Sequence, residues 1–228
     1  MVVIKSSTSA VLTAPDIDDI DSNRPRRNEM ALFRCSEIVL GRLLGTGAFC
    51  DVHDLYNVEL LNEDGLEQKN TPFRKEQQKR EFIRDTCRDE GDRLRYVIKH
   101  LRPNLSSDRG MKIFSHAAID CIKEVDILSR LSHRNIVRLC GSAKLELVTD
   151  GDTKDYKKII QENDPEKFFI VLEKLQETLS QRILRWREMA KRVRYSGPLP
   201  PFYREKLRYA RDIASALAHV HSQGMVFR

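Results

Sequence analysis

The sequence predicts an α+β protein in which an antiparallel sheet of five strands carries one main helix, with further helices after the last strand. Three observations lead to this prediction. Short apolar strand segments fill most of the chain, one amphipathic helical segment interrupts them, and two helical segments follow the last strand. With 228 residues, 40% of them hydrophobic, the chain is long enough and apolar enough to bury a core.

The strands are predicted from short apolar runs bounded by turn residues. The first two lie between Ile38 and Val58, on either side of a turn that contains two glycines. The segment LRYVIKHL predicts a third strand, in which alternation places Lys99 on the same face as Val97 and Leu101. The runs NIVRLCG and KFFIVLEKL predict the fourth and fifth strands.

The helices are predicted from apolar residues at helical spacing. The main helix runs from about His116 to Leu131, with Glu124 at the edge of its apolar stripe. LSQRILRWREM predicts a second helix, which the proline-rich segment SGPLPP ends. A third helix begins near Phe202, and Gly224 stands where it should end.

Composition divides the chain into segments. Residues 1–34 are polar and predict a mobile leader. Residues 35–175 hold the sheet and the main helix, and they include a charged insert at 62–93. The insert has too few apolar residues to make a face and is interpreted as a loop, or as a helix that forms only transiently. Residues 176–228 hold the helices that follow the last strand.

Charge and cysteine content narrow the function class. Lys and Arg exceed Asp and Glu by only six, and the basic residues are spread widely, so no nucleic-acid partner is expected. The five cysteines contain no CxxC pair, which argues against a zinc site or a disulfide framework. No apolar run reaches the length of a membrane span. We expect a cytoplasmic or nuclear protein.

Three features carry candidate chemistry, each with an ordinary alternative. Gly45 and Gly47 in a tight turn would let backbone N–H groups approach phosphate oxygens, although many hairpin turns contain glycine. Lys99 on an apolar strand face needs an acidic or phosphate partner, unless it reaches water at a sheet edge. Glu124 is a candidate partner, but boundary glutamates usually face solvent.

In order and spacing, these features resemble a eukaryotic protein kinase of the serine/threonine type. LGTGAFCDV is similar to the glycine-rich loop, YVIK to the strand with the ATP-binding lysine, and KEVDILSRLSHRNIVRL to the following helix and its exit. The last segment is the most specific, because it keeps the family spacing E-x-x-x-L-x-x-L-x-H-x-N-I-V. FFIVLEKL resembles the last strand of the ATP-binding lobe and the hinge.

The resemblance implies a site for ATP. It makes Lys99 and Glu124 the residues of the catalytic ion pair, Leu172 the gatekeeper, and Glu173 to Leu175 the hinge whose backbone groups meet adenine. The implied ATP-binding residues are Leu44, Gly45, Thr46, Gly47, Ala48, Phe49, Val52, Val97, Lys99, Leu172, Glu173 and Leu175. Three positions depart from the family pattern, namely Cys50, Val97 and Phe227.

The resemblance also implies what surrounds this site. AHVHSQGMVFR is similar to the approach to the catalytic loop, with Phe227 and Arg228 at the His and Arg positions, so the chain stops one residue before the catalytic Asp. The full-length parent would use Mg²⁺, whose ligands would follow Arg228, and a protein substrate. The chain by itself is therefore expected to be inactive, as the first part of a longer kinase with an incomplete helical lobe.

Two other functions remain open on the sequence. A nucleotide-binding pseudokinase would hold ATP through the same glycines and Lys99 without transferring phosphate. An interaction module would instead use the charged insert and the basic helix RILRWREMAKRVR, which suits an acidic partner.

Overall fold

A computed structural model of the chain describes residues 30–61, 71–102, 111–145, 167–192 and 201–226. These residues fall into two compact units. The larger unit contains the described residues of 30–132 and 138–174, and the smaller unit contains those of 133–137 and 175–226.

The larger unit is built on a mixed sheet of six strands in the order β1-β5-β6-β4-β3-β2. β1 pairs in parallel with β5, and the other neighbours are antiparallel. The strands are β1 (Ala31–Phe33), β2 (Ile38–Thr46), β3 (Cys50–Val58), β4 (Tyr96–Leu101), β5 (Leu139–Ala143) and β6 (Phe169–Glu173). Five of them match predicted strands. The prediction of a five-stranded, purely antiparallel sheet is wrong, because β1 is an additional, parallel strand.

The described part of the chain contains four α-helices. The larger unit holds α1 (Thr71–Asp85) and α2 (Met111–Arg130), and the smaller unit holds α3 (Leu179–Arg192) and α4 (Pro201–Ser222). A short 3₁₀ helix, Cys35–Glu37, joins β1 to β2. The main helix, α2, lies where it was predicted and begins about five residues earlier.

The sheet of the larger unit is covered by a helix on each face. On one face, α2 packs in a cluster made of Leu101, Phe114, Ala117, Ala118 and Phe168. On the other face, α1 contributes Ile83 to a cluster that includes Leu55, Ile98 and Val171 from the strands. The alternation in β4 therefore sends Ile98 to the α1 face and Leu101 to the α2 face, as predicted.

The charged insert is not a loop throughout, because α1 occupies residues 71–85. Few apolar side chains are needed to hold this helix, since two of its polar residues bind distant parts of the chain. Glu76 accepts a hydrogen bond from the Leu32 backbone N–H, and Arg80 pairs with Glu37. Residues 62–70 of the insert lie outside the described residues.

The leader prediction is also wrong at its C-terminal end, because β1 falls inside residues 1–34. Ala31 and Phe33 are buried and belong to the core cluster on the α1 face. A strand of three residues is too short to show a period in the sequence. Residues 1–29 lie outside the described residues.

Close packing of β1 against β5 explains why residue 141 is a glycine. A Cβ atom on Gly141 would lie 2.8 Å from the Ala31 carbonyl oxygen and 2.8 Å from Cε2 of Phe33. We expect Gly141→Ala to lower the free energy of unfolding by about 1–3 kcal/mol, because the sheet must shift to admit the methyl group. Urea denaturation of the wild type and the variant measures this difference in the free energy of unfolding. Gly45→Ala is the matched control, since a Cβ there meets nothing within 4 Å; equal midpoints for the two variants would contradict the prediction.

The smaller unit is held together by a contact between α3 and α4. Trp186 is buried, its Nε1–H donates to Glu205 Oε2 at 2.6 Å, and its ring meets the edge of Tyr209. Arg182 donates to the same Glu205 carboxylate at 3.1 Å. Gly224 has a φ of 72° just after α4, which confirms the predicted helix end. Among the described helices, none combines the length and the apolar character needed to cross a membrane.

Candidate functional site

A lysine and a glutamate meet between β4 and α2. Lys99 Nζ contacts Glu124 Oε2, and the two side chains are 23% and 9% exposed. Alternation in β4 turns Lys99 toward the face that α2 covers, and helical spacing turns Glu124 toward the sheet. An ion pair shielded from water on one side holds the ammonium in a fixed place while part of it stays accessible.

The strand register lines up the predicted phosphate-binding residues with Lys99. Gly45 lies opposite Val52, Val52 lies opposite Lys99, and Lys99 lies opposite Ile170. Residues that face each other across neighbouring strands share one face of the sheet. Gly45 is therefore two strands from Lys99, a distance of roughly 10 Å.

The glycine-rich turn between β2 and β3 is exposed. The Gly47 N–H donates to the Cys50 carbonyl at 2.7 Å and closes the turn. A Cβ on Gly45 would meet nothing within 4 Å, so no neighbouring protein atom explains the glycine there. The predicted residues Leu44, Gly45, Thr46, Gly47, Ala48 and Phe49 are all exposed.

The residues predicted to meet adenine are distributed over both units. Val97 and Leu172 lie opposite each other on β4 and β6, and both are buried. The Glu173 backbone N–H donates to the Arg138 carbonyl at 3.1 Å, so this backbone group is already engaged. Leu175 belongs to the smaller unit.

Sequence reasoning missed an ion pair in the same part of the sheet. Asp54, which is 4% exposed, lies opposite Val97, and its Oδ1 is paired with Lys174 Nζ just after β6. The contact lacks hydrogen-bond geometry and is electrostatic. The sequence contained one sign of this pair: strand alternation places Asp54, two positions after Val52, on the inward face of β3, where a carboxylate needs a partner.

Two cysteines lie beside the Lys99–Glu124 pair. Burial raises the pKa of the Cys50 thiol, and the neighbouring Lys99 opposes that shift only in part. Burial also raises the pKa of Cys121, to about 12. Both side chains are therefore thiols at neutral pH, which makes them weak nucleophiles. Cys50 fills space in the α2-face cluster and carries no reactive thiolate.

Other candidate features lie elsewhere. A surface pocket lined by Tyr56, Asn57, Arg84, Asp85, Cys87 and Arg88 contains none of the predicted ATP-binding residues. Among the described residues, no group of three or more His, Cys, Asp or Glu side chains is arranged to hold a metal ion. Phe227 and Arg228 lie outside the described residues.

The fold and this site are compatible with one class of protein. A mixed sheet with a strand lysine bound to a helix glutamate is compatible with a kinase-like fold, and sequence similarity supports a relationship to protein kinases. The chain is similar to a probable casein kinase II subunit alpha homolog of Encephalitozoon cuniculi (strain GB-M1), with 28% identity over 137 residues. The match covers 60% of this chain and 30% of that relative. The sequence matches no protein-family model.

Proposed function

We propose that this chain holds the ATP-binding part of a protein kinase that transfers the γ-phosphate of ATP to Ser or Thr side chains of proteins. The contact between Lys99 and Glu124 carries the proposal. It supplies a cation that is fixed in position, partly accessible, and in register with a glycine-rich turn. The similarity to a casein kinase II subunit alpha homolog supports the same class of reaction.

In this proposal Lys99 binds the α- and β-phosphates. Glu124 holds the ammonium in place, so that little side-chain freedom is lost when ATP binds. Phosphoryl transfer depends mainly on positioning and electrostatic stabilisation, and this pair contributes to both. The remaining charge of the triphosphate would be neutralised by Mg²⁺, for which the described residues provide no three-ligand group.

The glycine-rich turn would cover the phosphates. Open space on the Cβ side of Gly45 lets a phosphate oxygen approach the backbone closely. The adenine would lie against Val52 and Val97, with Leu172 behind them. Val97 is larger than the alanine usual at this position and would narrow the pocket.

ATP binding by the whole 228-residue chain tests the proposal. Calorimetric titration with ATP and Mg²⁺ should give one saturable site, and Gly45→Ala should weaken it several-fold by placing a methyl group in the path of the phosphates. Because that methyl group meets no protein atom, the stability of the variant should stay close to that of the wild type. Absence of saturable ATP binding by the folded chain would refute the proposal.

Binding alone does not distinguish a kinase from a nucleotide-binding module without activity. Transfer of phosphate from radiolabelled ATP to a protein rich in Ser and Thr makes that distinction. The matched region of 137 residues makes up only 30% of the relative. An activity of that relative therefore cannot be attributed to the matched region alone, and the transfer assay tests activity separately from ATP binding.

A further inference from the structure

Two histidines meet on the sheet, on the face opposite Lys99. Nε2 of His100 on β4 lies 3.0 Å from Nδ1 of His53 on β3, and the two rings stack with centroids 5.0 Å apart and planes 28° apart. The register explains the contact. His100 lies opposite Asp51 and His53 lies opposite Ile98, so the two histidines are diagonal neighbours on one face. Both are half-buried.

The hydrogen bonds of His100 determine which of its nitrogens is free to bind a ligand. Nδ1 lies 2.9 Å from the Leu101 carbonyl oxygen, which can only accept a hydrogen bond. Nδ1 of His100 therefore carries a proton, and in the neutral ring Nε2 presents a lone pair toward His53. Histidines that bind metals in proteins usually donate their other ring N–H to a carbonyl or carboxylate in this way, which fixes the tautomer and the ring orientation.

The spacing of the two nitrogens fits a shared metal ion. Metal–nitrogen bonds of about 2.0–2.1 Å, at angles between a right angle and the tetrahedral angle, place the two nitrogens about 2.8–3.4 Å apart. The observed 3.0 Å lies within that range. We infer that His53 Nδ1 and His100 Nε2 together bind one divalent transition-metal ion of the kind that imidazole prefers, such as Ni²⁺, Cu²⁺ or Zn²⁺.

The rest of the coordination sphere would be water. Within the described residues no third His, Cys, Asp or Glu completes a metal-binding group. Asp51 shares the face with the two histidines, but its carboxylate is paired with Arg102 at 3.2 Å. The site is therefore a two-histidine chelate, which is weaker than a structural zinc site and reversible.

The alternative is a direct N–H···N hydrogen bond between the rings. In that arrangement His53 Nδ1 donates its proton to His100 Nε2, and a metal ion would have to displace that proton. Without a metal ion the 3.0 Å contact is this hydrogen bond, and a bound metal ion would take the place of its proton at nearly the same spacing. Addition of a metal ion distinguishes them, because only a chelate raises the stability of the protein when the ion binds.

Such an ion would link β3 to β4, the strands that carry Val52 and Lys99. It would lie on the face of the sheet opposite the Lys99 side chain. The inference is independent of ATP binding, because it uses neither the glycine-rich turn nor the Lys99–Glu124 pair.

The experiment uses the full chain without a histidine tag, freed of metal with a chelator. Ni²⁺ is the probe, since it favours imidazole and competes less for the five thiols than Zn²⁺ or Cu⁺ would. We expect one site by calorimetry and a rise in Tm at saturation. His53→Gln and His100→Gln should each weaken binding about tenfold or more. His221→Gln, which changes an exposed histidine on α4, is the matched control and should leave binding unchanged.

A second measurement needs no variant that might fail to fold. Diethyl pyrocarbonate modifies accessible imidazoles, and mass spectrometry locates the modified residues. Ni²⁺ should protect His53 and His100 of the wild-type chain and leave the modification of His221 unchanged. Ni²⁺ binding that persists in both glutamine variants, or equal modification of the pair with and without Ni²⁺, would overturn the inference in favour of a simple hydrogen bond.

Discussion

Replacing Lys99 by Met should lower the affinity of the chain for ATP about 10- to 100-fold, because it removes contacts worth roughly 1.5–3 kcal/mol between an ammonium group and phosphate oxygens. Met keeps most of the length and apolar surface of the lysine stem. The side chain is 23% exposed, so the fold should tolerate the change. Titration of wild type and variant with ATP and Mg²⁺ under identical salt measures the ratio of the two affinities.

Two further variants show whether the effect belongs to the ion pair. Glu124→Gln keeps the size of the side chain but releases the ammonium, so we expect a smaller loss of affinity, and the double variant should lose less than the sum of the single losses. Lys123→Met removes the same charge from an exposed position next to Glu124 and should bind ATP like the wild type. Equal affinities for Lys99→Met and Lys123→Met would show that Lys99 does not touch the phosphates.

The orientation of each partner in the Lys99–Glu124 contact could be anticipated from a local pattern, whereas their pairing was implied only by the resemblance to protein kinases. Strand alternation is enough to place Lys99 on the same face as Leu101, and helical spacing is enough to place Glu124 beside the apolar stripe of α2. Neither step requires knowledge of the rest of the fold. The contact in the structure joins residues 25 positions apart, but the orientation of each residue depends only on its near neighbours.

The parts that were missed depend on contacts between distant segments. β1 has three residues and is stable only because it pairs with β5, more than a hundred residues later. α1 has little apolar surface of its own and is held by Glu76 and Arg80, which bind residues 44 and 43 positions away. Asp54 on β3 pairs with Lys174, which follows β6, two strands away in the sheet. Periodicity contains no information about pairings of this kind.

The buried Arg80–Glu37 pair allows the strongest test of this account. Glu37 is fully buried and the Arg80 side chain is 6% exposed. Replacing Arg80 by Leu should lower the free energy of unfolding by about 3–5 kcal/mol, because it leaves a buried carboxylate without its counter-charge. Urea denaturation, followed by circular dichroism, measures the change. Arg84→Leu is the control, since Arg84 pairs with Asp85 at the surface and should cost about 1 kcal/mol or less.

A double variant separates the charge from the hydrogen bonds. Glu37 also accepts backbone N–H groups from Arg34 at 2.8 Å and Leu61 at 3.2 Å, so it joins the segment after β1 to the end of β3 as well as to α1. Glu37→Gln keeps an acceptor oxygen but removes the charge that Arg80→Leu would leave uncompensated. The double variant should therefore be more stable than Arg80→Leu alone. If the double variant is as unstable as Arg80→Leu, the uncompensated charge of Glu37 is not the cause of the instability. The cause would then be the lost packing and hydrogen bonds of the Arg80 guanidinium.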